Sequence, residues 1–230
     1  MLRTILCGAA LAVITLSGQQ FAAHAANSAP SATEALFDAH HLANVSKGTT
    51  LAYQFDRQVS EPKLLGEPFK DDIKVDVVDD GEAGTKTVSV KVFTGERGRD
   101  PQNITGMTGN PVLVVFLDRA VNNLAMLSGG SRPYLKQKLK MSFANSAKVE
   151  PVEISYKGAQ VKGNRIEVKP YVGDPNALKM MGYDGATFDI VVSDQIPGHL
   201  ASLASHYKSP VKESPNLDET IKLEGVGEIK

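Results

Sequence analysis

The chain has 230 residues, 42% of them hydrophobic, and a formal net charge of −1. A balance this close to neutral argues against a dedicated nucleic-acid binder, which carries a basic excess. The single cysteine, Cys7, falls inside the N-terminal leader, so the rest of the chain has no thiol for a disulfide, a cysteine-ligated metal or a cysteine nucleophile.

Residues 1–25 read as an export signal. Arg3 gives a positive flank, Ile5 to Leu16 a short apolar core, and Ala23-His24-Ala25 a small-x-small cleavage site. The apolar core falls short of the ~20 residues that a spanning helix needs. Cys7 follows Thr4-Ile5-Leu6 and sits too early for a lipoprotein site. The mature chain is expected to begin near Ala26 in the bacterial periplasm, held together by burial rather than by disulfides. No further transmembrane segment is expected.

Residues 26–48 form a leader and a short helix, from about Thr33 to Ala43, with Leu36, Phe37 and Leu42 available for burial and Lys47-Gly48 as its end. From Thr49 the apolar period becomes two, and residues 49–230 are expected to form a single α+β domain. Leu51, Tyr53 and Phe55 alternate with polar neighbours, as do Ile73, Val75 and Val77, then Val88, Val90 and Val92. Asp79 to Gly84 reads as a hairpin turn between the last two runs. The same alternation returns at Val152, Ile154 and Tyr156, at Ile166 and Val168, at Phe188, Ile190 and Val192, and at Ile221 and Leu223. Successive strand side chains point to opposite faces, so these are strands with one dry and one wet face, the habit of antiparallel sheets.

The middle of the chain departs from this rhythm. Pro111 opens the run Val112 to Phe116. Asp118 then enters a helix bearing Leu117, Val121, Leu124 and Leu127. Gly129-Gly130 stops it. Ser131 is the expected cap of a second helix with Pro133 in its first turn and Leu135, Leu139 and Phe143 along one side. This helical pair spans about residues 117–143. Further helices are expected from Asp174-Pro175 through Met181 and from Pro197-Gly198 through Tyr207, with Lys157 to Asn164 as a connection and residues 208–217 as a loop. The expected fold is therefore α+β: a curved, half-barrel-like antiparallel sheet packed on a central helical hairpin.

Chemical signatures are sparse. Adjacent His40 and His41 would project about 100° apart on a helix, whereas metal-binding helices place histidines at i and i+4. His199 and His206 have no acid close in sequence. The serines of Leu127 to Ser131 lack the Gly-x-Ser-x-Gly spacing of a hydrolase elbow. Asp71-Asp72, Asp79-Asp80 and Glu96 offer paired carboxylates, but they flank strands, where solvated Asp is ordinary. No catalytic residue, metal ligand or cofactor site is assigned. The Gly-rich polar loop from Gly95 to Asn110 is long enough to touch a partner. Arg132, Lys136, Lys138 and Lys140 make the second helix a basic amphipathic one, suited to an anionic surface or an acidic partner, or simply to solvent on its outer side.

An exported chain with one antiparallel sheet around helices resembles the half-barrel carriers of the bacterial envelope, the LolA-like group. The segments Pro111 to Asp118 and Phe188 to Gly198 also resemble those of exported bacterial proteins of undetermined function. The resemblance is architectural, over about Thr49 to Lys230, and carries no functional residue across. It implies a non-catalytic protein that binds a lipid or other apolar ligand between sheet and helices. The dry-face residues Tyr53, Phe55, Val90, Ile154, Phe188 and Ile190, with Leu124 and Leu127, are the expected lining. The same alternation suits an ordinary filled core. Two other functions stay open: an envelope-assembly or surface-interaction module with a protein partner, and a secreted hydrolase in which Ser, His and an acid converge.

Overall fold

A computed structural model describes residues 29–229. The export signal expected over residues 1–25 lies outside the described residues. Nine strands form one sheet: β1 Thr49–Val59, β2 Phe69–Asp80, β3 Lys86–Val92, β4 Gln102–Met107, β5 Lys148–Tyr156, β6 Ala159–Val168, β7 Thr187–Val192, β8 Leu200–Tyr207 and β9 Leu217–Glu228. Their order is β4-β3-β2-β1-β9-β8-β7-β6-β5, and every neighbouring pair is antiparallel.

This order places the helices. β1 to β4 and β5 to β9 are two meanders joined in the middle by β1 and β9. β4 and β5 are therefore the two opposite edges. The chain between them must cross the whole sheet, and it does so as helix α1, Pro111–Ser128, and helix α2, Arg132–Asn145. The alternating residues of nearly every strand bury one face under this pair. Leu51, Tyr53 and Phe55, Ile73 and Val75, Ile166 and Val168, and Phe188 and Ile190 join Val112, Phe116 and Leu124 of α1 and Leu135, Leu139 and Phe143 of α2 in one core. The expected α+β class, antiparallel sheet and helical pair are all present.

Local chemistry explains α1. The Asn110 side chain accepts the Val112 N–H at 3.1 Å, and Pro111 occupies the first turn, where its missing N–H costs nothing. Gly129 ends the helix with φ 69° and gives its N–H to Ala125. The run Val112 to Phe116, read as distinct from the helix, is thus its first turns. At mean hydropathy 1.3 the helix is long and apolar enough to cross a membrane, but half of it is buried inside the protein. Sequence reading had not singled it out as a second long apolar run. In α2, Ser131 holds the N-cap position without a side-chain cap bond.

Other expectations change. The N-terminal helix shrinks to a single π-type turn, Glu34–Asp38. The expected helix from Pro197 to Tyr207 is strand β8. Leu200 and Leu203, three apart, both reach the core because the register against β7 shifts between Val191 and Val192. That bulge imitates helical spacing in the sequence. The stretch from Asp174 to Met181 holds only a short 3-10 turn, Ala177–Lys179. The connection expected from Lys157 to Asn164 tightens to a two-residue turn, Lys157-Gly158, both at positive φ, with Tyr156 facing Ala159. Part of the Gly95 to Asn110 loop is the exposed edge strand β4.

One buried polar network fixes α1 to the sheet. Glu219 of β9 accepts from Arg57 of β1 and from Arg119 of α1, and Arg57 also donates to Asn123 at 3.3 Å. The Arg119 guanidinium lies 4.5 Å over the Phe55 ring. These contacts hold the inner side of α1 down and leave its outer side free.

Candidate functional site

The eight residues expected to line a ligand space separate into three groups. Tyr53, Phe55, Val90, Leu124, Phe188 and Ile190 are brought together, all buried in the core. They belong to one continuous core that runs across the sheet beneath α1. The Tyr53 hydroxyl is tied to Asn110 Nδ2 at 2.7 Å, and burial pushes its pKa well up. Leu127 is half-buried at the margin of this cluster. Ile154 stands apart. Val149 faces Ile166 on the helix side, and unbroken pairing from there puts Ile154 on the opposite face with Val161. It lines a shallow hollow of about 370 Å³ with Val191, Ser202 and Lys222. Val152 and Tyr156 share its parity, so the dry face expected for β5 is on the far side of the sheet from the helices.

The large open space lies elsewhere. A groove of about 1140 Å³ runs along the outer side of the helical hairpin. α1 is apolar on two sides. Val112, Phe116 and Leu124 take the sheet, while Val114, Leu117 and Val121, at spacings of three and four, form a second stripe that walls the groove. Leu139, Met141 and Phe143 of α2 also line it, Leu139 and Phe143 at its buried floor and Met141 at its exposed rim, and the N-terminal turn closes one end with Thr33 and Phe37. The Phe37 and Phe143 rings meet edge to face, centroids 5.7 Å apart. Phe37, Val114 and Met141 are 46%, 63% and 48% exposed. Large apolar side chains that converge on a concavity of this size are the usual makings of a ligand site.

The rim is charged on one side. Arg132, Lys136 and Lys140 line the groove, against one acid, Asp118. Spaced four apart, the three cations follow one ridge of α2. Lys138 turns away. Its ammonium sits 2.8 Å from Asp174 Oδ2, and Tyr134 donates to Oδ1 of the same carboxylate. Burial opposes ionisation of Asp174, but the hydrogen bonds from Lys138, Tyr134 and the Asn176 N–H outweigh it and lower its pKa to about 2. This pair anchors α2 to the connection between β6 and β7, so of the basic helix only three cations belong to the groove.

The histidines have structural partners. His41 is buried; its Nε2 donates to Ala35 O at 2.8 Å and its Nδ1 accepts the Asn110 N–H at 3.2 Å. That pairing fixes a neutral tautomer beside the start of α1, and burial lowers its pKa. His199 meets it edge to face, ring centroids 5.5 Å apart. His206 does have an acid partner, Asp218, opposite it on β9 at 2.6 Å. Ser128 donates back to Leu124 O. Asp71 caps Thr94, and Asp79 and Asp80 pair with Lys47 and Lys86. Among the described residues no group of three or more His, Cys, Asp or Glu could hold a metal ion.

Sequence reading missed Val114, Met141 and the groove-facing roles of Leu117 and Phe37. The available signal was that α1 has apolar residues on more of its circumference than one sheet contact requires.

The chain matches no protein-family model and no curated protein sequence. Among solved structures it is similar to the Mycobacterium tuberculosis lipoprotein LppX, at 11% identity over 81% of this chain and 92% of that one, with a TM-score of 0.28. It is also similar to a LolA superfamily protein from Nitrosomonas europaea, at 7% identity over 88% of this chain and 95% of that one, with a TM-score of 0.24. The functional reading rests on the groove and its residues.

Proposed function

We propose that this protein is a non-catalytic, periplasmic binder of a hydrophobic ligand, and that the ligand lies in the groove between α1 and α2. The observation that carries this reading is the second apolar stripe of α1. Val114, Leu117 and Val121 line a concavity of about 1140 Å³, Val114 fully on its open side and the other two where it meets the core, and each methylene buried there gains ~0.8 kcal/mol. The interior set of Tyr53, Phe55, Val90, Leu124, Phe188 and Ile190 has a supporting part: it seats α1 so that the outer stripe stays open.

The test is a titration of the whole mature protein with a fluorescent fatty acid, beside native mass spectrometry of protein taken from the periplasm. Val114→Asp and Met141→Asp place a charge in the groove at exposed positions and are expected to weaken binding at least tenfold while melting stays unchanged. Ile104→Asp, on the exposed edge strand, is the control and is expected to bind normally. Bare polypeptide with no saturable binding, or groove variants that bind like wild type, would overturn the proposal.

A further inference from the structure

The groove is not uniform from end to end. The helices are joined only by Gly129, Gly130 and Ser131, so they fold back on each other as a hairpin. Arg132 and Lys136 therefore lie toward the turn. Phe37, Val114, Met141 and Phe143 lie toward the open end, where the Phe37 ring meets Phe143. The turn end holds two cations, Arg132 and Lys136, while Lys140 stands one turn before Phe143 beside the apolar end.

Length adds a second constraint. From Arg132 to Phe143 the helical rise of 1.5 Å per residue gives about 17 Å. Half the ~30 Å hydrocarbon core of a bilayer, the depth occupied by one membrane acyl chain, is about 15 Å. The groove thus matches one extended chain.

Charge completes the picture. Arg132, Lys136 and Lys140 are exposed and belong to none of the ion pairs among the described residues. With Asp118 the lining carries a net +2. Asp118 stands on the facing helix, bonded to Asn122 at 2.9 Å. Ten residues before the end of α1, it lies toward the open end, and its charge repels an anion from there and favours the turn end. Long Lys and Arg stems can lie along the apolar wall with their charged heads beyond it.

Resting on the ligand reading above, we infer that the occupant is a single-chain anionic amphiphile, its head at Arg132 and Lys136 near the turn and its tail running past the Lys140 stem to Val114, Leu117 and Phe143. The cations select the charge of the head; the stripe accepts the tail.

The experiment compares myristate, above neutral pH and below its micelle concentration, with myristyl alcohol, which has the same tail and no charge. Both are titrated into the whole mature protein. Exposed ion pairs are worth ~0.2–1 kcal/mol each, so three cations are expected to favour myristate about tenfold, equivalent to ~1.4 kcal/mol. Molar salt is expected to remove most of that preference and leave alcohol binding intact. The combined variant Arg132→Gln, Lys136→Gln, Lys140→Gln alters only exposed side chains. It is expected to bind both compounds as wild type binds the alcohol. Equal wild-type affinities, or a preference that survives in the variant, would overturn the head-group assignment while the ligand reading stood. No binding of either compound would overturn both. Sedimentation with phosphatidylglycerol vesicles, in place of a one-to-one amphiphile complex, would reassign the ridge to a bilayer surface and overturn the inference.

Discussion

Replacing Glu219 by Ala tests how the helical layer is held. The Arg57 and Glu219 side chains are 9% and 3% exposed, and one carboxylate serves both Arg57 and Arg119. Removing it leaves a guanidinium out of water without its counter-charge. Breaking a buried pair in this way costs about 3–5 kcal/mol. For a domain of this size each kcal/mol lowers Tm by roughly 2–4 °C, so the loss is about 6–20 °C. Urea and thermal unfolding followed by circular dichroism measure both quantities. Removing all the charges together, as Arg57→Met, Arg119→Met and Glu219→Leu, is expected to recover most of the loss, because no ion is then stranded. A Glu219→Ala cost below ~1 kcal/mol, or a triple variant as unstable as the single one, would refute the claim that this network is shielded from water.

Stability should also depend on pH through His41. Its folded pKa is lowered by burial from 6.5, so below that pH the unfolded chain takes up a proton that the folded chain resists. Unfolding free energy is expected to be flat above about pH 6.5 and to decline as pH falls below it, a decline that His41→Gln should reduce. A further loss is expected as pH drops from 3.8 toward 2, where Asp174 gives up its depressed pKa. Leu124→Ala, at a fully buried position, should cost about 2–5 kcal/mol in urea unfolding. Gly198→Ala should destabilise by at least ~1–2 kcal/mol. Gly198 has φ +74°, and a Cβ there would lie 2.6 Å from Leu51 Cδ1 and 2.8 Å from Asn110 Nδ2.

Most strands were legible because their burial follows the two-residue period, as in β1, where Leu51, Tyr53 and Phe55 are buried between half-exposed neighbours. β8 was not, because a bulge set Leu200 and Leu203 three apart on one face and Ser205 stands among the buried positions. The start of α1 was hidden by Val112 to Phe116, a β-prone run whose true signal was Asn110-Pro111. Ile154 kept the expected alternation, but alternation does not say which face is inward; that is set by pairing with β6. The groove was the least legible feature. It exists only where the outer stripes of two helices and the Phe37 turn converge, and no single segment carries it. The basic character of α2 was readable, although the diversion of Lys138 to Asp174 depends on a loop 36 residues downstream of it in sequence.

Photo-crosslinking measures most directly where the ligand sits. The whole mature protein is loaded with a diazirine-bearing fatty acid, irradiated, and the labelled residues are located by peptide sequencing in a mass spectrometer. Labels on Phe37, on Val114 to Val121 and on Leu139 to Ala144 are the predicted result. Labels confined to Tyr53, Phe55, Phe188 or Ile190, beneath the helices, or labelling that an excess of unmodified fatty acid does not reduce, would contradict the account.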